Sequence, residues 1–173
     1  ITIKNGQDIE SVHQYKYLGS IIDDKLTFNS NTDMLCKKGQ QRLYCLRKLA
    51  RFQVDKTLMT MFYRSFIESI LTFSAICWFA LLNVKNKNAI SKIIKVCSKI
   101  TGVQQKNMTE IYKEQVIRKA ESILDNYTHP LHNQFQFLPS GSRFKYPPAR
   151  TNGYKHSFLP SAVQLLNATR KNR

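Results

Sequence analysis

Asp55-Lys56-Thr57-Leu58-Met59-Thr60-Met61-Phe62-Tyr63-Arg64-Ser65-Phe66-Ile67-Glu68-Ser69-Ile70-Leu71-Thr72-Phe73-Ser74-Ala75-Ile76-Cys77-Trp78-Phe79-Ala80-Leu81-Leu82 is the apolar centre of the chain. Asp55 is suited to an N-cap, because its side-chain oxygen can accept from the unpaired amides of a first helical turn, and Val54 stands in the staple position before it. Leu58, Met59, Phe62, Phe66, Ile70, Phe73, Cys77 and Leu81 then cover most of a helix's circumference. That pattern predicts a centrally placed helix running to about Leu82. Arg64 and Glu68, four apart, make one surface pair. Ser69 to Val84 carries no charge, but these sixteen positions fall short of the ~20 that span a bilayer, so a buried core helix is expected rather than a membrane segment.

The flanking segments read as three more helices. The first covers about 31–52, with Asn31 or Thr32 as cap and Leu35, Leu43, Leu46 and Ala50 on one stripe with Gly39 between them. Lys37, Gln41, Lys48 and Arg51 line another face, and the segment's local charge is +5. A helix over roughly 86–101 turns Ile90, Ile93, Ile94, Cys97 and Ile100 inward and ends at Gly102, a C′ residue. Its Lys85, Lys92, Lys95 and Lys99 recur at helical spacing on the opposite side. A last one, from Thr109-Glu110 to about Asn126, has Ile111, Val116, Ile117, Ala120, Ile123 and Leu124 apolar.

Ahead of the helices, residues 1–29 read as strands. Asn5-Gly6 signals a type I′ hairpin, and the return run from Ile9 to Ile22 is rich in β formers. Asp23-Asp24 reads as a polar turn and Leu26-Thr27-Phe28 as a short extended piece. Behind the helices, His129-Pro130, Leu138-Pro139-Ser140-Gly141 and Pro147-Pro148 interrupt any long element, so residues 128–156 read as an irregular arm before a short helix from Phe158 to Asn167. No acidic residue follows Asp125, and that tail carries +7.

The 173 residues hold 27 Lys and Arg against 11 Asp and Glu, a net charge of +16. With 42% hydrophobic residues the chain has enough apolar material for a packed core. The charge calls for a polyanionic partner, nucleic acid or an anionic membrane surface, and the composition excludes an acidic solvating tail. Cys36, Cys45, Cys77 and Cys97 form no Cys-x-x-Cys pair and fall in helical segments, so a disulfide framework is not expected and an intracellular, reducing location is.

Catalytic signals are weak. Adjacent Asp23 and Asp24 are the carboxylate pair that metal-assisted phosphoryl transfer would need, but Asp-rich turns are common and no upstream strand carries a third acid. His129 and His132 are spaced i, i+3 without a Cys or carboxylate cluster to complete a zinc site. Glycine-rich phosphate loops, a nucleophile elbow and a 2-His-1-carboxylate pattern are absent from the sequence. No catalytic residue, metal site or cofactor is therefore expected. The basic faces are the positive signal. In the tail, Phe144, Tyr146, Tyr154 and Phe158 alternate with Arg143, Lys145, Arg150 and Lys155, a pattern that can stack bases and neutralise phosphates. The same aromatics could equally pin the arm to the helices.

Several strings taken in order resemble the region after the catalytic palm of LINE-type, non-long-terminal-repeat retrotransposon reverse transcriptases. They are Tyr15-Lys16-Tyr17-Leu18-Gly19-Ser20-Ile21-Ile22-Asp23, Gln40-Gln41-Arg42-Leu43-Tyr44-Cys45-Leu46-Arg47-Lys48-Leu49, Phe62 to Thr72, Trp78, Ile100-Thr101-Gly102, His129-Pro130-Leu131, Leu138 to Phe144, Ser157 to Pro160, and Leu165-Leu166-Asn167. Gly39 departs from a position where Ala is usual, and Ser142 and Gly153 from positions where Arg is typical. The resemblance implies a mainly α fold: a primer-grip-like hairpin left from a palm over 1–29, a thumb-like helical domain over 30–126, and an irregular basic arm over 127–173. It also implies that the catalytic aspartates lie in a palm outside this chain, and that the partner is RNA or DNA as template–primer. The residues expected to bind it are Tyr15, Lys16, Tyr17, Gly19, Lys37, Gln41, Arg42, Lys48, Arg51, Lys92, Lys95, Lys99, Arg143, Lys145 and Arg150. The stretch from about Tyr15 to Leu49 is similar as well to a module named after the N-terminal part of AlkB-homologue tRNA-modifying enzymes, which would imply an oxygenase or methyltransferase context. An inert structural remnant is the third alternative.

Overall fold

The computed structural model describes residues 11–171. A hairpin of β1 (Gln14–Tyr17) and β2 (Ser20–Asp23) is followed by α1 (Asn29–Arg51), α2 (Lys56–Phe62), a π-helical turn (Tyr63–Glu68), α3 (Ser69–Thr72), α4 (Ala75–Trp78) and a 3-10 turn (Phe79–Leu81). Then come α5 (Val84–Thr101), α6 (Met108–Leu124), a 3-10 turn (His132–Gln134), α7 (Asn152–Lys155) and α8 (Phe158–Lys171). The chain is mainly helical with a short antiparallel hairpin at its N-terminal side, as the sequence implies.

The hairpin is not where local turn chemistry placed it. Asn5-Gly6 lies outside the described residues, and the supposed single run from Ile9 to Ile22 folds back on itself, pairing Tyr15 with Ile22 and Tyr17 with Ser20. Leu18 and Gly19 form its two-residue turn with φ of 44° and 88°, the pair of positive values that a type I′ turn demands. Glycine takes that conformation freely, whereas Leu18 does so at a steric cost, so the dipeptide sends no turn signal.

Leu26–Phe28 is not extended either. Leu26 and Phe28 are left-handed (φ 53° and 55°), because the buried Asp23 carboxylate gathers the loop: Oδ1 accepts from the Thr27 amide at 2.9 Å and Oδ2 from the Phe28 amide at 2.7 Å. Asn31 and Thr32 are inside α1 rather than capping it. Asn31 Oδ1 accepts from the Ile21 amide at 3.1 Å, which ties β2 to the helix, and the Thr32 hydroxyl donates to the Phe28 carbonyl.

Asp55 caps as expected, with Oδ1 accepting from the Thr57 amide at 2.7 Å. The helix beyond it is not continuous. Met59, Tyr63, Ile67, Leu71 and Ala75 are all buried at intervals of four residues. An α-helix advances 3.6 residues per turn, so such a row would swing out of the core by roughly 40° at each step. The wider π-helical turn at Tyr63–Glu68 holds it inward. The helix then breaks at Phe73–Ser74, where Ser74 has φ 51° and the Trp78 indole donates to the Phe73 carbonyl at 3.0 Å. Holding that row inward leaves the next one outside. Leu58, Phe66 and Phe73 are 57%, 51% and 49% exposed, contrary to the expectation that all sides of this helix are covered.

By length and composition alone, Lys56–Leu81 is apolar enough to cross a membrane. Its buried members Tyr63, Ile67, Leu71 and Trp78 share one hydrophobic cluster with Leu43 and Leu46 of α1, Ile93 and Cys97 of α5, Val116 of α6, and Val163 of α8.

Asn83 caps α5 by accepting from the Asn86 amide, and Gly102 ends it at φ 68°. Asn107 and Glu110 close a reciprocal capping box on α6, which therefore starts at Met108 rather than at Thr109. The arm after α6 folds back as a short ribbon, Phe137 bridging Phe144. Phe144 is clamped by Asn167 of α8, whose side chain accepts from its amide at 2.8 Å and donates to its carbonyl at 3.0 Å.

Candidate nucleic-acid interface

α1 and α5 pack against each other and run in the same direction. At their N-terminal ends, Asn29 Oδ1 accepts from Nδ2 of Asn83 at 3.2 Å and of Asn86 at 2.7 Å. Midway, Gly39 lies under Ile93, so close that a Cβ at Gly39 would stand 3.1 Å from Ile93 Cδ1. Further along, burial pushes the Cys97 thiol up to about 11, against the opposing pull of the Arg47 charge on α1.

The inward residues of both helices enter one core, Leu35, Leu43 and Leu46 from α1 and Ile90, Ile93 and Cys97 from α5. Two parallel neighbours that share a core on one side must turn their opposite faces outward on the other. Lys37, Gln41, Lys48 and Arg51 of α1 are exposed there, and so are Lys85, Lys92, Lys95 and Lys99 of α5. Arg47 is exposed between the rows, and Lys48 Nζ lies 5.1 Å from the centre of the Tyr44 ring. Asp33 is the sole carboxylate in α1, and α5 has none. Each helix thus exposes its own row of cations on the side away from the shared core.

The other expected residues do not join these rows. Arg42 is turned to the far flank of α1, where its guanidinium donates to the Phe66 carbonyl. Tyr15, Lys16, Tyr17 and Gly19 are exposed on the hairpin, whose turn rests on the Phe73 ring, so that a Cβ at Gly19 would stand 3.6 Å from Phe73 Cε1. Arg143 and Lys145 are exposed on the arm beside α8, which packs on α6. Arg150 precedes α7, whose Asn152 and Gly153 line a cavity of about 330 Å³ with Asn29 and Asn83 at the N-terminal ends of the paired helices.

The tail aromatics divide accordingly. Phe144 is 1% exposed and sits under the Arg170 guanidinium at 4.7 Å, so it pins the arm and is closed to a base, whereas Tyr146 and Tyr154 remain exposed.

The carboxylates and histidines are occupied locally. Burial works against charge on Asp23, but the amides of Thr27 and Phe28 outweigh it and hold its pKa below the usual range. Asp24 is held down chiefly by its hydrogen bond with His13 Nδ1, at 3.0 Å. His129 Nδ1 accepts from the Leu131 amide, and His132 Nδ1 lies 3.1 Å from the Ile123 carbonyl. Among the described residues no three metal-ligating side chains gather. A polar cleft of about 570 Å³ lies between α3 and α6, where burial raises the Glu68 pKa against the nearby Arg64 and Lys106 charges.

What sequence reasoning missed is the outward aromatic row Phe62, Phe66 and Phe73. Phe62 and Phe66 stack at 4.8 Å with planes 27° apart. The signal was present as apolar residues on both of two adjacent four-residue rows, more than one face of a helix can bury.

Residues 28–69 match a family model described as alkylated DNA repair protein alkB homolog 8, N-terminal. The match covers α1, α2 and the π-helical turn, about a quarter of the chain. No curated protein and no solved structure matches it.

Proposed function

We propose that this chain is a nucleic-acid-binding module that grips a duplex or hybrid across the outer face of α1 and α5, supplying no catalytic centre of its own. The observation that supports this is the parallel pairing of the two helices, together with the exposure of Lys37, Lys48, Arg51, Lys92, Lys95 and Lys99 on them and Asp33 as the one carboxylate that either helix contains. Phosphates neutralised by such a face release counterions, so binding is driven by charge and falls steeply with salt.

The finer reading is a thumb-like and primer-grip-like piece of a LINE-type reverse transcriptase holding template–primer for a palm outside this chain. Its support is the ordered set of strings from Tyr15 to Asn167, and the compact turn that Leu18-Gly19 gives to the first of them. A second reading, favoured by the family-model match over residues 28–69, makes α1, α2 and the π-helical turn part of an AlkB-homologue enzyme acting on nucleic acid, with the chemistry supplied by another region.

Titration of a labelled RNA–DNA hybrid and a structured RNA hairpin against the full chain tests these. With about six phosphates engaged, affinity should fall by roughly a thousandfold between 50 and 200 mM salt. Lys92→Glu with Lys95→Glu should flatten that slope by about two contacts. Preference for the hybrid supports the template–primer reading and preference for the hairpin the second. An affinity indifferent to salt would discard both.

A further inference from the structure

We propose that the outward row Phe62, Phe66 and Phe73 is a base-stacking platform for a single nucleic-acid strand leaving the cationic face. This rests on the nucleic-acid reading and adds a second, chemically distinct site to it. Three features carry the assignment.

Two of the rings are presented. Phe66 and Phe73 are about half exposed, and Phe66 stacks on Phe62, which is partly buried against the core and backs the outer ring. The row extends onto the hairpin: its turn abuts Phe73, and Tyr15 and Tyr17 share the strand face of Ile22, which packs on the core. Both tyrosines are more than half exposed.

The second feature is the border. Arg42 donates to the carbonyl of Phe66 itself, and Lys38 stands one helical turn before it on α1. The acids of the aromatic helix lie elsewhere, Asp55 engaged at its N-terminal cap and Glu68 in the polar cleft with Arg64 and Lys106. An aromatic row with cations along one edge, and whose own helix keeps its acids elsewhere, is complementary to a strand whose bases face the rings and whose phosphates follow the edge.

The third feature is position. Lys38 and Arg42 sit on the same helix as Lys37, Gln41 and Lys48, so a strand passing from one flank of α1 to the other meets cations throughout.

The test compares a 12-nucleotide oligothymidylate with an abasic strand of equal length and charge, each titrated against the full chain. The wild type should bind the base-bearing strand at least tenfold more tightly. Phe66→Ala with Phe73→Ala should erase that preference, while Phe66→Tyr keeps it and the salt slope stays the same, since no charge is altered. Far-UV circular dichroism should be unchanged, because both rings are on the surface.

Equal binding of the two strands by the wild type, with strong salt dependence, would overturn the platform and leave the cationic face standing. No salt-dependent binding of either strand would remove both. Should the double alanine variant leave strand preference intact but abolish self-association or capture of an amphipathic peptide, the row is a protein-docking surface and the proposal is wrong.

Discussion

Asp23 and Gly39 show how single residues set the geometry on which the interface depends. Asp23 looks from sequence like half of a metal-binding pair, yet its two oxygens are spent on the amides of Thr27 and Phe28. Its pKa is lowered on folding, so the stabilisation is present above the unfolded value near 4 and is lost as pH falls through the folded one. Asp23→Asn should therefore cost roughly 1–3 kcal/mol at pH 7 in urea denaturation, and the gap to wild type should narrow only as the pH is taken below the ordinary carboxylate range.

Gly39 departs from the helix former that the resemblance leads one to expect, but it is the point at which Ile93 and Leu71 approach α1. A methyl group there would press on the Ile93 side chain, so Gly39→Ala should offset its gain in helix propensity, about 1 kcal/mol, and change stability little. Gly39→Val should destabilise by roughly 1–3 kcal/mol through overpacking, read from the same denaturation curves.

Among the elements, α5 and α6 were legible almost to the residue, because each has one apolar stripe, a polar remainder and a strong terminal signal such as Gly102. The helix after Asp55 was legible at its cap and not beyond. Periodicity assumes a fixed pitch, and the π-helical turn changes the pitch to keep Tyr63, Ile67 and Leu71 in line. Deleting Ser65 removes the residue that the wider turn absorbs, so the segment should return to α-helical pitch with Leu71, Ala75 and Trp78 still facing the core. Because Trp78 is the only tryptophan and is 1% exposed, its fluorescence should stay native-like and the unfolding transition cooperative. A red-shifted spectrum with loss of cooperativity would mean that the π-helical turn is not what absorbs the extra residue. The hairpin illustrates a different blind spot: Leu18 takes a left-handed conformation that no local preference announces.

For the whole molecule, the lysine rows of the candidate site were readable from spacing alone, since charges at helical intervals must share a face. Sequence could not say that the two helices lie side by side in one direction, because that depends on contacts between segments more than thirty residues apart, among them those of Asn29 with Asn83 and Asn86. Nor could it place Arg143 and Lys145 beside α8, away from the pair. These two should consequently contribute little to hybrid binding: Arg143→Gln with Lys145→Gln should weaken it less than threefold at 100 mM salt, against a loss of about tenfold or more for the Lys92→Glu and Lys95→Glu pair, both measured by fluorescence anisotropy.

The shared direction of α1 and α5 has an electrical consequence as well. Peptide dipoles in aligned helices add, so the end where Asn29 meets Asn83 carries the positive poles of both, with no acidic residue in either first turn to cancel them. At the opposite end the negative poles are met by Lys48, Arg51 and Lys99. A polyanion laid along the pair therefore encounters attraction from tip to tip, and the rod has no repulsive end from which it would tend to peel.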